Sequence, residues 1–158
     1  MGFTLPAGRR IIIAGAGSIG CHAGGCLALA GLPVTLLLRP ALATALAGGL
    51  RLSDLDGLDR LVPPDVLRLE TDPARALADA GLILVTVKAT DTDAMAALIA
   101  AHAPADALMV SLQNGIGNAD RLMVSAPFCA RQTIFTPRSS LSRRQAAFRH
   151  HNRDERWW

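Results

Sequence analysis

The stretch from Arg10 to Arg39 constrains this chain more than any other. It opens on Ile11-Ile12-Ile13-Ala14, a short apolar run rich in β-branched residues, and breaks at Gly15-Ala16-Gly17-Ser18-Ile19-Gly20. An apolar segment of helical length follows to Ala30, Gly31 stops it, and a second apolar run covers Pro33 to Leu38. Strand, glycine turn, helix and strand in that order predict a βαβ unit of the dinucleotide-binding kind. Gly15 permits the sharp turn off the strand. Gly17 lets the main chain approach a pyrophosphate, and Gly20 lets the helix pack on the sheet. With the helix starting near Ser18, its free N–H groups and positive dipole end face the phosphates. Gly15, Ala16, Gly17, Ser18, Ile19 and Gly20 are therefore the expected pyrophosphate contacts. A glycine turn of purely structural purpose is the competing reading.

The residue closing the second strand bears on which dinucleotide is bound. Where the ribose carries a free 2′-hydroxyl, an Asp or Glu normally stands about twenty residues after the glycines. Here Arg39 takes that place, with Pro40 after it and no carboxylate before Asp54. A guanidinium suits a 2′-phosphate, which it clamps with two parallel hydrogen bonds. The plainer reading is a solvated arginine at a strand end. The expectation is NADP(H).

At 158 residues, 51% hydrophobic and 18% charged, the chain has enough apolar material for one domain with a sizeable core. The uncharged run from Ile11 to Leu38 is broken by six glycines and by Pro33, so it reads as buried parallel strands and not as a membrane span. Met1 to Arg10 lacks the apolar stretch of a secretory signal, and a cytoplasmic protein is expected. Cys21, Cys26 and Cys129 have no metal-ligand spacing. No metal site is expected, the cysteines read as small buried residues, and His22 reads as a helix-face residue.

Downstream, Pro40 to Ala47 is alanine-rich and helical, closed by Gly48-Gly49. Leu50, Leu52 and Leu55, with Val66, Leu67 and Leu69, suggest a hairpin turning at Asp56-Gly57. Asp72-Pro73 starts a short helix, the aspartate as N-cap, running to about Ala80. Strands are expected at Leu82–Val87 and Ala107–Leu112, with a helix from about Thr92 to Ala101 between them. This alternation predicts an α/β fold, a Rossmann-like doubly wound, mostly parallel sheet.

Such a sheet brings the carboxyl ends of its strands to one edge. Three signals lie there: the glycine turn, Lys88 and the loop Gln113-Asn114-Gly115. Lys88 is the only lysine in the chain and leaves an uncharged strand that is apolar but for Thr86, which favours a ligand role. The Asn114 amide both donates and accepts, suiting a nicotinamide ribose or a substrate oxygen. Asn-Gly is also the commonest turn dipeptide, and the residues alone leave the two readings level.

Together, GAGSIG at 15–20, Gly24-Gly25, V-T-L-L-L-R-P at 34–40, V-K-A at 87–89 and Q-N-G-I-G-N at 113–118 resemble the N-terminal domain of the ketopantoate reductase (2-dehydropantoate 2-reductase) family, in the 6-phosphogluconate dehydrogenase-like group. The resemblance covers roughly residues 9–124. It implies NADPH-dependent reduction of a small 2-oxo acid, ketopantoate to pantoate, on the route to pantothenate. It further implies that Gly15 to Gly20 hold the pyrophosphate, Arg39 meets the 2′-phosphate, Lys88 contacts the cofactor, and Asn114 sits between nicotinamide and substrate. Thr90-Asp91-Thr92 departs from the family pattern, which carries a glutamine nearby. The family's acid/base lysine belongs to a second, helical domain. With no lysine beyond Lys88, that role maps onto no residue here, and no catalytic residue is assigned. The isolated chain is therefore expected to bind NADP(H) and to turn over little or not at all. A second chain supplying the helical domain, or a homodimer, would be its partner. The competing readings are a non-catalytic NADP(H)-binding module and another oxidoreductase of the same group.

Charge is unevenly placed. Up to Asp120 there are eight Lys and Arg against eleven Asp and Glu, whereas from Arg121 onward eight arginines face only Asp154 and Glu155. The expected division is an NADP-binding domain over 1–124 and a basic tail over 125–158, poorly ordered or the product of truncation or a frame shift. A nucleic-acid-binding arm using Trp157-Trp158 is the weaker reading of that tail.

Overall fold

β1 (Arg10–Ala14) lies inside a six-stranded sheet in which every pairing is parallel. The structure is a computed structural model, and it describes residues 4–53, 57, 59–114, 117–125 and 132–134. After α1 (Ser18–Leu29) comes β2 (Val34–Leu37), then α2 (Pro40–Ala45), and a hairpin of β3 (Leu50–Ser53) and β4 (Asp59–Val62). The chain returns as β5 (Leu67–Glu70), α3 (Pro73–Leu77) and β6 (Ala80–Val85). A single 3₁₀ turn (Ala89–Asp91) leads into α4 (Thr92–His102), followed by β7 (Leu108–Ser111), α5 (Asn118–Ser125) and β8 (Gln132–Ile134).

The sheet order is β5-β2-β1-β6-β7-β8, so the chain builds outward from β1 on one side and then crosses to the other. The crossover leaves a crevice beyond the carboxyl ends of β1 and β6, the topological switch point at which such sheets bind ligands. β8 comes from within the stretch assigned to the tail, and pairs Met109 with Gln132 and Ser111 with Ile134.

Two cores sandwich the sheet. Ile11, Ile13, Val34 and Leu36 pack with α1 and the hairpin, while Ile12, Ala14, Ile83 and Val85 pack with α3, α4 and α5. The strands read as continuous apolar runs because alternate side chains enter opposite cores, both of them apolar. Gly24 and Gly25 let α1 seat closely: a Cβ at Gly24 would stand 2.6 Å from Leu36 Cδ2, and one at Gly25 2.9 Å from Leu52 Cδ1. Thr35, fully buried in β2, is satisfied by Arg10, whose Nε donates to its hydroxyl at 2.8 Å.

The hairpin differs from expectation. β3 pairs with Asp59–Val62, in a register that sets Leu50 against Val62, and Arg51 grips Asp59 across it. Leu67–Glu70 instead joins the main sheet alongside β2. Two short apolar stretches compete for the same partner here. The exposed edge of β2 is the stronger claimant, because pairing there satisfies a full row of backbone groups and buries Leu67. Asp72 caps α3 as expected, accepting from the Ala74 N–H at 2.9 Å, but the helix ends at Leu77 and Ala80 already belongs to β6. The sequence also allows a helix from about Ser142 to His150; that stretch and the end of the basic tail lie outside the described residues.

Candidate dinucleotide site

The glycine turn is held from three sides. Gly15 has φ +107°, a conformation open to glycine, and a Cβ there would stand 2.6 Å from Val87 Cγ1 and 2.8 Å from the Val87 nitrogen. The turn thus nests against the end of β6. Thr86 donates its hydroxyl to the Gly15 carbonyl. From the helix side, the Cys21 thiol donates to the Ala16 carbonyl at 3.3 Å, and burial pushes that thiol up to about 11. Thr86 is a site residue that sequence reasoning missed; its one signal is a lone hydroxyl in the apolar run Leu82–Val87.

Gly17 is different in kind. Its φ of −76° is accessible to any residue, and a Cβ there would meet nothing within 4 Å. No internal packing requires glycine at 17. It caps α1 without a side-chain hydrogen bond, and the first turn carries no acidic residue. Its carbonyl accepts from the Cys21 N–H at 2.8 Å. Gly17, Ser18 and Ile19 are all exposed at this helix start, whereas Ala16 and Gly20 are buried behind it. The arrangement is an open, uncapped helix N-terminus with bare main chain before it, suited to an anion.

Arg39 stands at the carboxyl end of β2, exposed, with its carbonyl accepting from the Leu42 and Ala43 N–H groups to start α2. The nearest strand-end carboxylate, Glu70, is already committed. It accepts from the Thr71 and Asp72 N–H groups at 3.0 and 3.2 Å and lies beside Arg68 and Arg75. The Asp72 N–H is the main cause that holds its carboxyl below the usual range, with Thr71, Arg75 and Arg68 adding to it against the opposing effect of burial.

Lys88 follows Val87 and starts the 3₁₀ turn on the opposite side of the crevice from Arg39. Asn114 follows β7, with its side chain exposed and its carbonyl accepting from Asn118 Nδ2 at 2.9 Å. The fold therefore brings the glycine turn, Arg39, Lys88 and Asn114 to one edge. His102 ends α4 and so sits at the far end of that helix from Lys88. His22 lies on α1 with Nε2 3.7 Å from the Cys26 sulfur. Cys26 is exposed, contrary to the expectation that the cysteines are buried, because it falls on the helix face opposite the sheet. Among the described residues no group of His, Cys, Asp and Glu is arranged to hold a metal.

A family model described as Ketopantoate reductase PanE/ApbA matches residues 11–145. The chain belongs to the ketopantoate reductase family. That match reaches past residue 124, into the stretch that also supplies β8. Among ketopantoate reductase relatives, a 2-dehydropantoate 2-reductase of Halobacterium salinarum is 38% identical over 120 residues, 75% of this chain and 38% of the relative. One of Archaeoglobus fulgidus is 36% identical over 122 residues, 77% of this chain and 36% of the relative. The crystal structure of a PanE/ApbA family ketopantoate reductase from Ralstonia eutropha JMP134 superimposes with a TM-score of 0.68 at 36% identity, covering 79% of this chain and 39% of that one. The chain thus spans less than two fifths of the length of these ketopantoate reductases. Among the described residues no helix is long and apolar enough to cross a membrane.

Proposed function

We propose that this chain is the cofactor-binding part of an NADPH-dependent 2-oxo acid reductase of the cytoplasm, with 2-dehydropantoate as the substrate. The observation that carries the reading is the open start of α1 behind Gly17, with Arg39 exposed at the neighbouring strand end. In this reading the main-chain N–H groups of Ser18, Ile19 and Gly20 receive the pyrophosphate and the helix dipole complements its charge. Arg39 grips the 2′-phosphate, and Glu70, tied down by its own neighbours, does not compete for a ribose hydroxyl. The bound cofactor supplies a hydride to the substrate ketone.

Lys88 and Asn114 stand on the nicotinamide side of the crevice. Asn114 offers a donor and an acceptor to the nicotinamide ribose or the substrate oxygen. Ketone reduction also requires a proton for the developing alkoxide. His102 is remote from Asn114, and arginine stays charged. The acid–base group, and most of the substrate's contacts, then come from residues beyond those described. On this reading the 158-residue chain binds NADPH but reduces 2-dehydropantoate slowly or not at all.

Titration calorimetry tests the reading. Saturable uptake of NADPH with a clear preference over NADH is the expected result; no uptake of either cofactor sinks it. Turnover of 2-dehydropantoate at rates typical of enzymes, a kcat on the order of 1–1000 s⁻¹, would overturn the claim that a proton donor is missing.

A further inference from the structure

Beyond the end of the β6–β7 ladder, one buried side chain joins three elements. Gln113 is 5% exposed. Its Nε2 donates to the Val87 carbonyl at 3.0 Å and to Thr92 Oγ1 at 2.8 Å, while its Oε1 accepts from the Ser111 hydroxyl at 3.2 Å. The Val87 carbonyl accepts and never donates, so the amide must turn its nitrogen that way, which leaves Oε1 for Ser111. Both N–H groups of the amide are used. Thr92 is fully buried at the first position of α4.

We propose that Gln113 is a positioning residue for the nicotinamide half of the cofactor, resting on the dinucleotide reading above. The residues it joins are the immediate neighbours of those at the site: Val87 precedes Lys88, and Gln113 precedes Asn114. Register pairing of β6 with β7 ends at Val85 and Ser111, with one more backbone bond from the Leu112 N–H to the Val85 carbonyl. Past that point the sheet no longer sets the spacing of the two loops. The Gln113 amide takes over, holding the Val87 carbonyl, the start of α4 and the chain entering Asn114 in one unit. Asn118 secures the other side of the same turn by donating to the Asn114 carbonyl, which leaves the Asn114 side chain exposed.

The network is confined to the β6–β7 side of the crevice. Arg39 ends β2, two strands away from β6 across β1. In a sheet of this order the adenosine half of a dinucleotide lies toward β2 and the nicotinamide half toward β6 and β7. A residue that positions only the second half affects the whole cofactor, but not a fragment carrying the adenosine, the 2′-phosphate and one 5′-phosphate. A residue that merely stabilises the domain affects both alike.

The test compares NADPH with adenosine 2′,5′-bisphosphate by calorimetry on the 158-residue chain and its Gln113→Leu and Gln113→Glu variants. Gln113→Leu leaves two acceptors unpaired, and Gln113→Glu sets a carboxylate against the Val87 carbonyl. Each is expected to weaken NADPH roughly tenfold, the equivalent of about one well-placed hydrogen bond, with bisphosphate binding unchanged. Thr92→Val keeps the shape and removes one acceptor. It guards against misfolding of the first two variants and should show a smaller loss, again for NADPH alone. Equal weakening of both ligands, or of neither, in folded variants overturns the positioning role. Failure of the unsubstituted chain to bind either ligand instead overturns the dinucleotide reading beneath it.

Discussion

The hydroxyl of Thr86 donates to the carbonyl oxygen of Gly15, so the end of β6 props the turn that leaves β1. Gly20 packs against the same pair, since a Cβ there would stand 2.7 Å from Thr86 Oγ1. The crevice floor is thus one hydrogen-bonded unit drawn from residues far apart in the chain. Thr86→Val keeps the shape and strips the donor. It should destabilise the chain by about 1–3 kcal/mol through the carbonyl left unpaired. Urea unfolding checks this, and an unchanged midpoint would show that the bond is replaced by water.

The first two glycines of the turn should separate stability from binding. Gly15→Ala meets both a positive φ and the backbone of Val87, and a loss of about 1–3 kcal/mol follows from the strain alone. Gly17→Ala meets neither, so its unfolding midpoint should stay within about 0.5 kcal/mol of the parent. Its NADPH affinity should nonetheless fall, because the added methyl occupies the approach to the main chain. If Gly17→Ala binds as tightly as the parent, the pyrophosphate does not lie there.

In the proposed function, cofactor choice turns on Arg39. Arg39→Ser removes a charged partner for the 2′-phosphate and should weaken NADPH about 10–100-fold, the range for hydrogen bonds to charged groups. NADH affinity should barely move. Parallel titrations with the two cofactors read the ratio, and a ratio that survives the substitution rules out this contact.

Glu70 makes stability depend on acid. Its carboxyl is held below its ordinary 4.5, chiefly by the Asp72 N–H. A carboxylate depressed in the folded state stabilises it above the unfolded value and loses that contribution as pH falls through the folded one. Glu70→Gln should therefore narrow the stability difference between neutral and acidic pH. Thermal melts across that range measure it; an acid limb of unchanged slope would assign the effect to other carboxylates.

The cysteines of α1 should react unequally. Cys21 is buried with its thiol raised to about 11, whereas Cys26 is exposed. Iodoacetamide at mildly alkaline pH should label Cys26 while Cys21 stays protected until unfolding. Peptide mapping by mass spectrometry distinguishes the two, and early labelling of Cys21 would mean that α1 lifts from the sheet.

Much of the fold was legible from local pattern. Ile11 to Ala14, the glycines at 15, 17 and 20, Pro33 to Leu38, and Asp72-Pro73 each impose a conformation through their own chemistry, and the matching elements begin within about a residue of expectation, although α3 stops three residues short of its expected end. Leu67 to Glu70 was misjudged because a short apolar run carries no mark of its partner, and two edges were open to it. The exposure of Cys26 was misjudged because α1 is apolar nearly all round, so no polar stripe shows which face meets the sheet.

By itself, then, the sequence determined the βαβ unit, the strand–helix alternation that carries β6, α4 and β7, and the gathering of the glycine turn, Lys88 and Asn114 at one edge. These follow from periodicity, turn residues and the handedness of parallel connections, all of them local or topological. Only the tertiary structure decided that Val87 and Thr86 support Gly15, that Gly17 is kept open by no internal contact, and that Gln113 spans the ends of β6 and β7. Those relationships join residues about 26 to 72 positions apart. A hydrogen bond over such a span exists only once packing has brought its donor and acceptor together, and no spacing along the chain announces it.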